Sequence, residues 1–370
     1  MDAKHGGNIY EIARQTGKKV DSMIDFSASI NPVGYSARVK KMFASVESLV
    51  VNYPDKQASD FTEALAAHHS LEPDTVLPGN GSTEFIYLLP GILRPKSVLI
   101  VAPAFTEYEH SYQRAKGVVF YFQTDEKDGF EVQHKRLLDE LKRGYSALYL
   151  CNPASPNGAV VSKEKMQEVI AFAAKKGTSV IVDETFMDYV EKYSIKALVK
   201  KYDNLYVLRS MTKFFALPGL RAGCLISHSK NIEKIRLRQA PWSINALAQR
   251  AGTESLKDVT YIQKSIDYMQ DARAGLVADL KTTVSLKVYK GSANFLLIKL
   301  AETARMSAPE LYGKLLERGL IVRTCEDFNG LDEQYFRVAV KKKNENKKLV
   351  SEINKIFSGG AAKKPAAKKK

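Results

Sequence analysis

The chain has 370 residues, 45% hydrophobic and 26% charged, a globular composition and more length than one core usually organises, so one large and one small domain are expected. No apolar run approaches the ~20 residues of a spanning helix and the first residues lack a signal-peptide core, so membrane roles are excluded and a cytoplasmic protein is expected. Of the formal net charge of +15, the tail AAKKPAAKKK and the stretch KKKNENKK from Lys341 carry +9; the tail, lysines mixed with Ala and Pro and without interleaved aromatics, reads as solvated and disordered, and nucleic acid is not expected as a partner.

Taken in order, Gly79-Asn-Gly-Ser-Thr83 precedes a helical pattern and offers backbone N–H groups to an anion. Strands are predicted at SVLIVA from Ser97, VVFYF from Val118, SALYLC from Ser146, TSVIVD from Thr178, NLYVLRS from Asn204 and GCLIS from Gly223. Helical patterns lie between several of them, such as KEKMQEVIAFAAKK from Lys163, and Thr106 with Glu109 has capping-box spacing. Alternation of this kind predicts an α/β fold with a mostly parallel sheet, with ligands beyond the carboxyl ends of its strands. A mainly helical stretch from Asn231 to about Leu280 follows. VYKGSANFLLIKL, a helix from Pro309 to Arg318, GLIVRTCE and YFRVAVKK then predict a small α+β unit. Cys151, Cys224 and Cys325 match no metal or redox spacing, so no metal site is expected.

The densest chemistry is Ser210-Met-Thr-Lys213-Phe-Phe-Ala-Leu-Pro-Gly-Leu-Arg221-Ala-Gly223, directly after a predicted strand. A cofactor aldehyde needs a lysine with an available neutral amine, and a phosphate needs hydroxyls and a fixed cation. Ser210, Thr212 and Arg221 supply these beside Lys213. The segment resembles the Schiff-base region of fold-type I pyridoxal-phosphate aminotransferases and their relatives. That resemblance implies pyridoxal 5'-phosphate as cofactor, held by Lys213, with Asp183 at the end of TSVIVD pairing with the pyridine nitrogen. A strand-end aspartate alone is more often a helix cap. It also implies that Gly81, Ser82 and Thr83 approach the cofactor phosphate and that Phe105 stacks on its ring.

Further motifs narrow the resemblance. His5-Gly-Gly-Asn8, DFSASINP from Asp25, NYPD from Asn52, PWSINALA from Pro241 and YFRVAV from Tyr335 are similar to the threonine-phosphate decarboxylase family, close kin of the histidinol-phosphate aminotransferases. The implied reaction is decarboxylation of L-threonine O-3-phosphate to (R)-1-amino-2-propanol phosphate for cobalamin biosynthesis, with serine phosphate a second substrate; the alternative is histidinol-phosphate aminotransferase. Arg337 is implied to bind the substrate carboxylate, Arg323 and His5 its phosphate, and Tyr53 to reach the cofactor phosphate of a neighbouring subunit in a homodimer with a shared active site. The implied organisation is an N-terminal arm over 1–35 that contributes to the substrate site, a large cofactor-binding unit over 36–285, a small unit over 286–357, and the tail 358–370. Two departures stand out: Ser155 and Ser29 occupy positions where the family carries asparagines facing the cofactor and the substrate. Phe186 stands where many aminotransferases have a cofactor-bonding tyrosine.

Overall fold

The computed structural model describes residues 5–359; most of the basic tail thus lies outside the described residues. Thirteen strands occur among them. They are β1 (Ile24–Asp25), β2 (Val76–Gly79), β3 (Ser97–Ala102), β4 (Val118–Gln123), β5 (Ala147–Cys151), β6 (Ser179–Asp183), β7 (Leu205–Ser210), β8 (Gly223–Ser227), β9 (Leu286–Val288), β10 (Phe295–Leu300), β11 (Leu320–Ile321), β12 (Arg323–Thr324) and β13 (Tyr335–Ala339). Strands β2 to β8 form one seven-stranded sheet in the order β2-β8-β7-β6-β5-β3-β4. Its strands run parallel except β8, which is antiparallel to both β7 and β2.

Strands β5, β7 and β8 are buried along their whole length, and β3 and β6 at all but their first residue. A strand covered on both faces reads as a continuous apolar run, which is why these five were visible as such. Strand β4 alternates exposed and covered residues, as the outer strand of the sheet. Strand β2 was missed because VLPG holds both Pro78 and Gly79; a proline is tolerated there because β2 is the other edge.

Helices pack over the sheet, among them Ser82–Leu93, Thr106–Arg114 and Lys163–Lys175. The expected capping box at Thr106 and Glu109 does not form. Phe105 occupies the cap, so Thr106 lies inside the first turn, where its buried hydroxyl finds no partner among the described residues. A capping box is present one unit later, between Ser307 and Glu310, at the helix Ala308–Glu317. The long helical stretch is three helices, Ser229–Arg236, Ala246–Leu256 and Val259–Lys281. The first break contains Pro241, followed by Trp242 at φ 55°.

The remaining strands build a four-stranded antiparallel sheet, β12-β13-β10-β9, while β1 pairs in parallel with β11. That pairing ties the N-terminal segment to the C-terminal sheet and brings Ser27–Ser29 next to Arg337, whose Nη2 donates to the Ser27 carbonyl. No described helix is long and apolar enough to cross a membrane.

Candidate active site

A cavity of about 200 Å³ opens at the carboxyl ends of the central strands. Lys213 comes from the loop after β7, Asp183 from the last position of β6, and Ser155 from the loop after β5. Ser82 and Thr83 begin the helix Ser82–Leu93, and Phe105 stands at the head of the next. Arg337 and Arg323 enter from β13 and β12, and His5 and Ser29 from the N-terminal segment. Of the residues singled out from the sequence, these and Ser210, Thr212 and Arg221 line one cavity. Tyr53 does not: it is 83% exposed and lies against Trp242, with ring centroids 5.0 Å apart.

One end of the cavity is built for an anion. The helix Ser82–Leu93 directs its first backbone N–H groups there, and Arg221, at φ 57°, brings its guanidinium over Gly81. A Cβ at Gly81 would stand 2.6 Å from Arg221 Nη2; at Gly223 it would stand 2.6 Å from the Ser82 nitrogen, against backbone that cannot yield. Ser210 and Thr212 hydroxyls lie 2.8 Å apart beside this cradle. A cation, two hydroxyls and a helix start within a space that only glycines permit fit a phosphate monoester such as that of pyridoxal phosphate.

Asp183 faces the same cavity and is buried. Its Oδ1 accepts from the Thr185 backbone at 2.9 Å and its Oδ2 from the Tyr108 hydroxyl at 2.7 Å. Burial raises its pKa, partly offset by donors from Thr185 and Tyr108 and by the charge of Lys213. A buried carboxylate with donors already fixed suits a ring nitrogen that must carry a proton. The Lys213 ammonium is brought down to about 8 by burial and by the like charges of Arg337 and Arg221.

Arg337 is the other unusual group. Its Nη1 donates to Ser155 Oγ at 2.9 Å and its Nη2 to the Ser27 carbonyl at 3.1 Å, while Nε has no partner among the described residues. No carboxylate pairs with it within the described chain, and burial lowers its pKa to about 10. Arg323, its direct cross-strand partner in the sheet, is neutralised instead: Nη2 meets both oxygens of Asp327, at 2.9 and 2.7 Å. Ser155 therefore bonds an arginine, and the buried Ser29 hydroxyl has no partner among the described residues.

Several contributors were not singled out from sequence. Tyr108 holds Asp183 and stacks on Tyr149 at 4.0 Å between ring centroids. Ser27, Thr185 and Phe328 line the cavity. Asn31 in DFSASINP donates its side-chain amide to the Phe214 carbonyl at 2.8 Å and its backbone N–H to the Lys213 carbonyl at 3.0 Å. Asn245 in PWSINALA caps the helix Ala246–Leu256 and donates to the Leu220 carbonyl, next to Arg221. Both motifs thus brace loops that line the cavity, a role that only the folded chain reveals.

Comparison with known proteins gives a consistent picture. A threonine-phosphate decarboxylase from Salmonella typhimurium is 33% identical over 362 residues, covering 97% of this chain and 98% of the relative. A histidinol-phosphate aminotransferase from Methanothermobacter thermautotrophicus is 30% identical, covering 95% of this chain and 93% of the relative. The crystal structure of the histidinol-phosphate aminotransferase from Clostridium acetobutylicum superposes with a TM-score of 0.84 at 29% identity, over 90% of this chain and 99% of that one. With residues 21–353 matching the family described as aminotransferase class I and II, and with the fold and a lysine–aspartate–arginine cavity to go with it, the chain belongs to that pyridoxal-phosphate-dependent family.

Proposed function

We propose that the chain decarboxylates L-threonine O-3-phosphate, giving carbon dioxide and (R)-1-amino-2-propanol phosphate in cobalamin biosynthesis, with serine phosphate as a second substrate. One observation carries the reading: Arg337 is a half-buried cation without a carboxylate partner among the described residues, at the wall of the lysine–aspartate cavity. A partly desolvated charge left without a counter-charge is unfavourable, and a substrate carboxylate removes that cost with a bidentate fork. The similarity to the decarboxylase from Salmonella typhimurium supports the choice of substrate.

Ser82, Thr83, Ser210, Thr212 and Arg221 would hold the cofactor phosphate, Asp183 its ring nitrogen, and Phe105 the face of its ring. Bound there, pyridoxal phosphate supplies an aldehyde for the amine and a ring that takes up an electron pair from the α-carbon. Asp183, fixed by Tyr108 and Thr185, keeps a proton at the ring nitrogen. Arg337 grips the α-carboxylate, and His5 with Arg323 faces the substrate phosphate; together they fix rotation about the nitrogen–α-carbon bond. Held in that orientation, the substrate would present its carboxylate rather than its α-proton for loss, which selects decarboxylation. Lys213, with a pKa of about 8 and so able to carry a proton at neutral pH, returns one to the same carbon. Net, one proton replaces one carboxylate as carbon dioxide leaves.

We place Tyr53 in a homodimer, where its exposed ring and that of Trp242 would face the partner subunit's site. The deciding experiment gives holoenzyme L-threonine O-3-phosphate and assays carbon dioxide, amine and keto-acid dependence. Gas release without an amino acceptor is expected. Turnover of histidinol phosphate that depends on 2-oxoglutarate, with no gas from either phospho-amino acid, overturns the reading in favour of the aminotransferase.

A further inference from the structure

The carboxylate of Glu107 lies behind the cavity, outside its lining, yet it gathers side chains from three segments. His5 Nε2 meets its Oε1 at 2.8 Å, His110 Nδ1 meets the same oxygen at 3.3 Å, and the Tyr87 hydroxyl donates to Oε2. Glu107 is only 14% exposed, against 41% for His5. Burial pushes its carboxyl up, but donors from Tyr87, His110 and His5 outweigh this and hold it below the ordinary value.

These contacts have a direction. Tyr87 belongs to the helix Ser82–Leu93, whose first turn faces the anion cradle, and Glu107 to the helix headed by Phe105. His5 belongs to the N-terminal arm, and its ring lies 5.4 Å from that of Phe105. The arm rests on the Ser27 loop: the Gly7 N–H donates to Ser27 Oγ at 3.0 Å, and a Cβ at Gly6 would stand 2.3 Å from the Ser27 carbonyl oxygen. Glu107 is the side chain that fastens His5 among the described residues. With Nε2 given to Glu107, Nδ1 is the ring nitrogen left for a ligand, and a doubly protonated ring donates both ways.

We infer that Glu107 is a positioning residue for substrate recognition: it latches the N-terminal arm so that His5 meets the phosphate of the substrate, which makes phosphorylated amino acids preferred over unphosphorylated ones. This rests on the phospho-amino-acid reading above. A histidine on an unfastened arm must be ordered when substrate arrives, and that entropy weakens binding. A latched one is already in place.

The test uses holoenzyme with Glu107→Gln, His5→Ala and the double variant. Glu107→Gln is expected to speed amide exchange across residues 5–12 and to raise KM for L-threonine O-3-phosphate by about tenfold. The kcat should stay within about twofold and inhibition by L-threonine should be unchanged, because the remaining site is intact. The double variant should be no weaker than His5→Ala alone, since one latch cannot be lost twice. Unchanged arm exchange, multiplicative losses, or an equal penalty on L-threonine would overturn the latch. If threonine phosphate is not turned over, inorganic phosphate is the probe: it should slow arm exchange in the unaltered holoenzyme. Loss of that protection in Glu107→Gln supports the latch even then, and its persistence refutes it.

Discussion

The ammonium of Lys213 is held in a place that disfavours its charge, and the consequence can be read without any substrate. Its pKa falls from 10.5 to about 8 through burial first, then through Arg337 and Arg221. At about 1.4 kcal/mol per pH unit this is about 3 kcal/mol against the charged amine. The side chain is part-exposed to the cavity, and solvent screening there reduces the figure to about 1–3 kcal/mol. A folded-state pKa below the unfolded value means that the unfolded chain binds the proton more tightly. The penalty is therefore full below pH 8 and fades as pH rises towards 10.5. Cofactor-free Lys213→Met should be more resistant to urea than the unaltered protein at pH 7, with the gap closing at higher pH. The neutral amine fraction at pH 7 rises from about one in three thousand to about one in ten. Capture of added pyridoxal phosphate, followed by its visible absorbance in stopped flow, should therefore climb about tenfold per pH unit below 8 and level off above it. Arg337→Gln should move that midpoint upward. A midpoint near 10, or a Lys213→Met protein less stable at pH 7, would refute the electrostatic reasoning.

Asp183→Asn should retain cofactor but lose most of its turnover, because a neutral side chain no longer holds the ring proton; a rate within a few-fold of the unaltered enzyme contradicts that role. Gly81→Ala places a side chain at φ 75° and 2.6 Å from Arg221 Nη2. Cofactor titration should show about tenfold weaker binding as the guanidinium moves, from strain of about 1–3 kcal/mol, and unchanged affinity would refute the cradle. Arg323→Gln should raise KM selectively for phosphorylated substrates, by less than tenfold since Asp327 already neutralises it. Equal penalties with and without phosphate would contradict the assignment.

What the sequence made legible was local. Lys213, its hydroxyls and Arg221 sit within one short stretch, and five inner strands were apolar runs because both their faces are covered. What it concealed depends on chain crossings. Tyr108 meets Asp183 across 75 positions, and Glu107 meets His5 across 102. No spacing signals such a pair. Arg323 was expected beside the substrate phosphate, but the acid four residues on that partly neutralises it was overlooked, although the interval was readable. Thr106 has the right neighbours for a cap and the wrong position, since the chain enters the helix one residue earlier. The direction of β8 was open because a run such as GCLIS carries no sign of which way its neighbours point.

The site's precision has a support that binds no ligand. Glu184 follows Asp183 and Arg209 precedes Ser210, so the two residues flank the ends of adjacent strands that carry the chemistry. Arg209 Nη1 meets Glu184 at 2.9 Å, and Nη2 meets Asp188 at 2.8 Å and Glu191 at 2.7 Å. Glu184 also accepts from Ser194 and from the Ile195 backbone, at 2.6 and 2.8 Å. Such a network stabilises little against an apolar replacement, because desolvating the ions offsets their attraction. Its effect is geometric. Removing Arg209 would leave Glu184 and Asp188 as buried carboxylates without their cation, at a cost of about 3–5 kcal/mol, so the ends of β6 and β7 are held against sliding apart. Asp183 and the Lys213 loop are thereby kept at a fixed separation across the cavity, which a site that must hold one ligand from both sides would require.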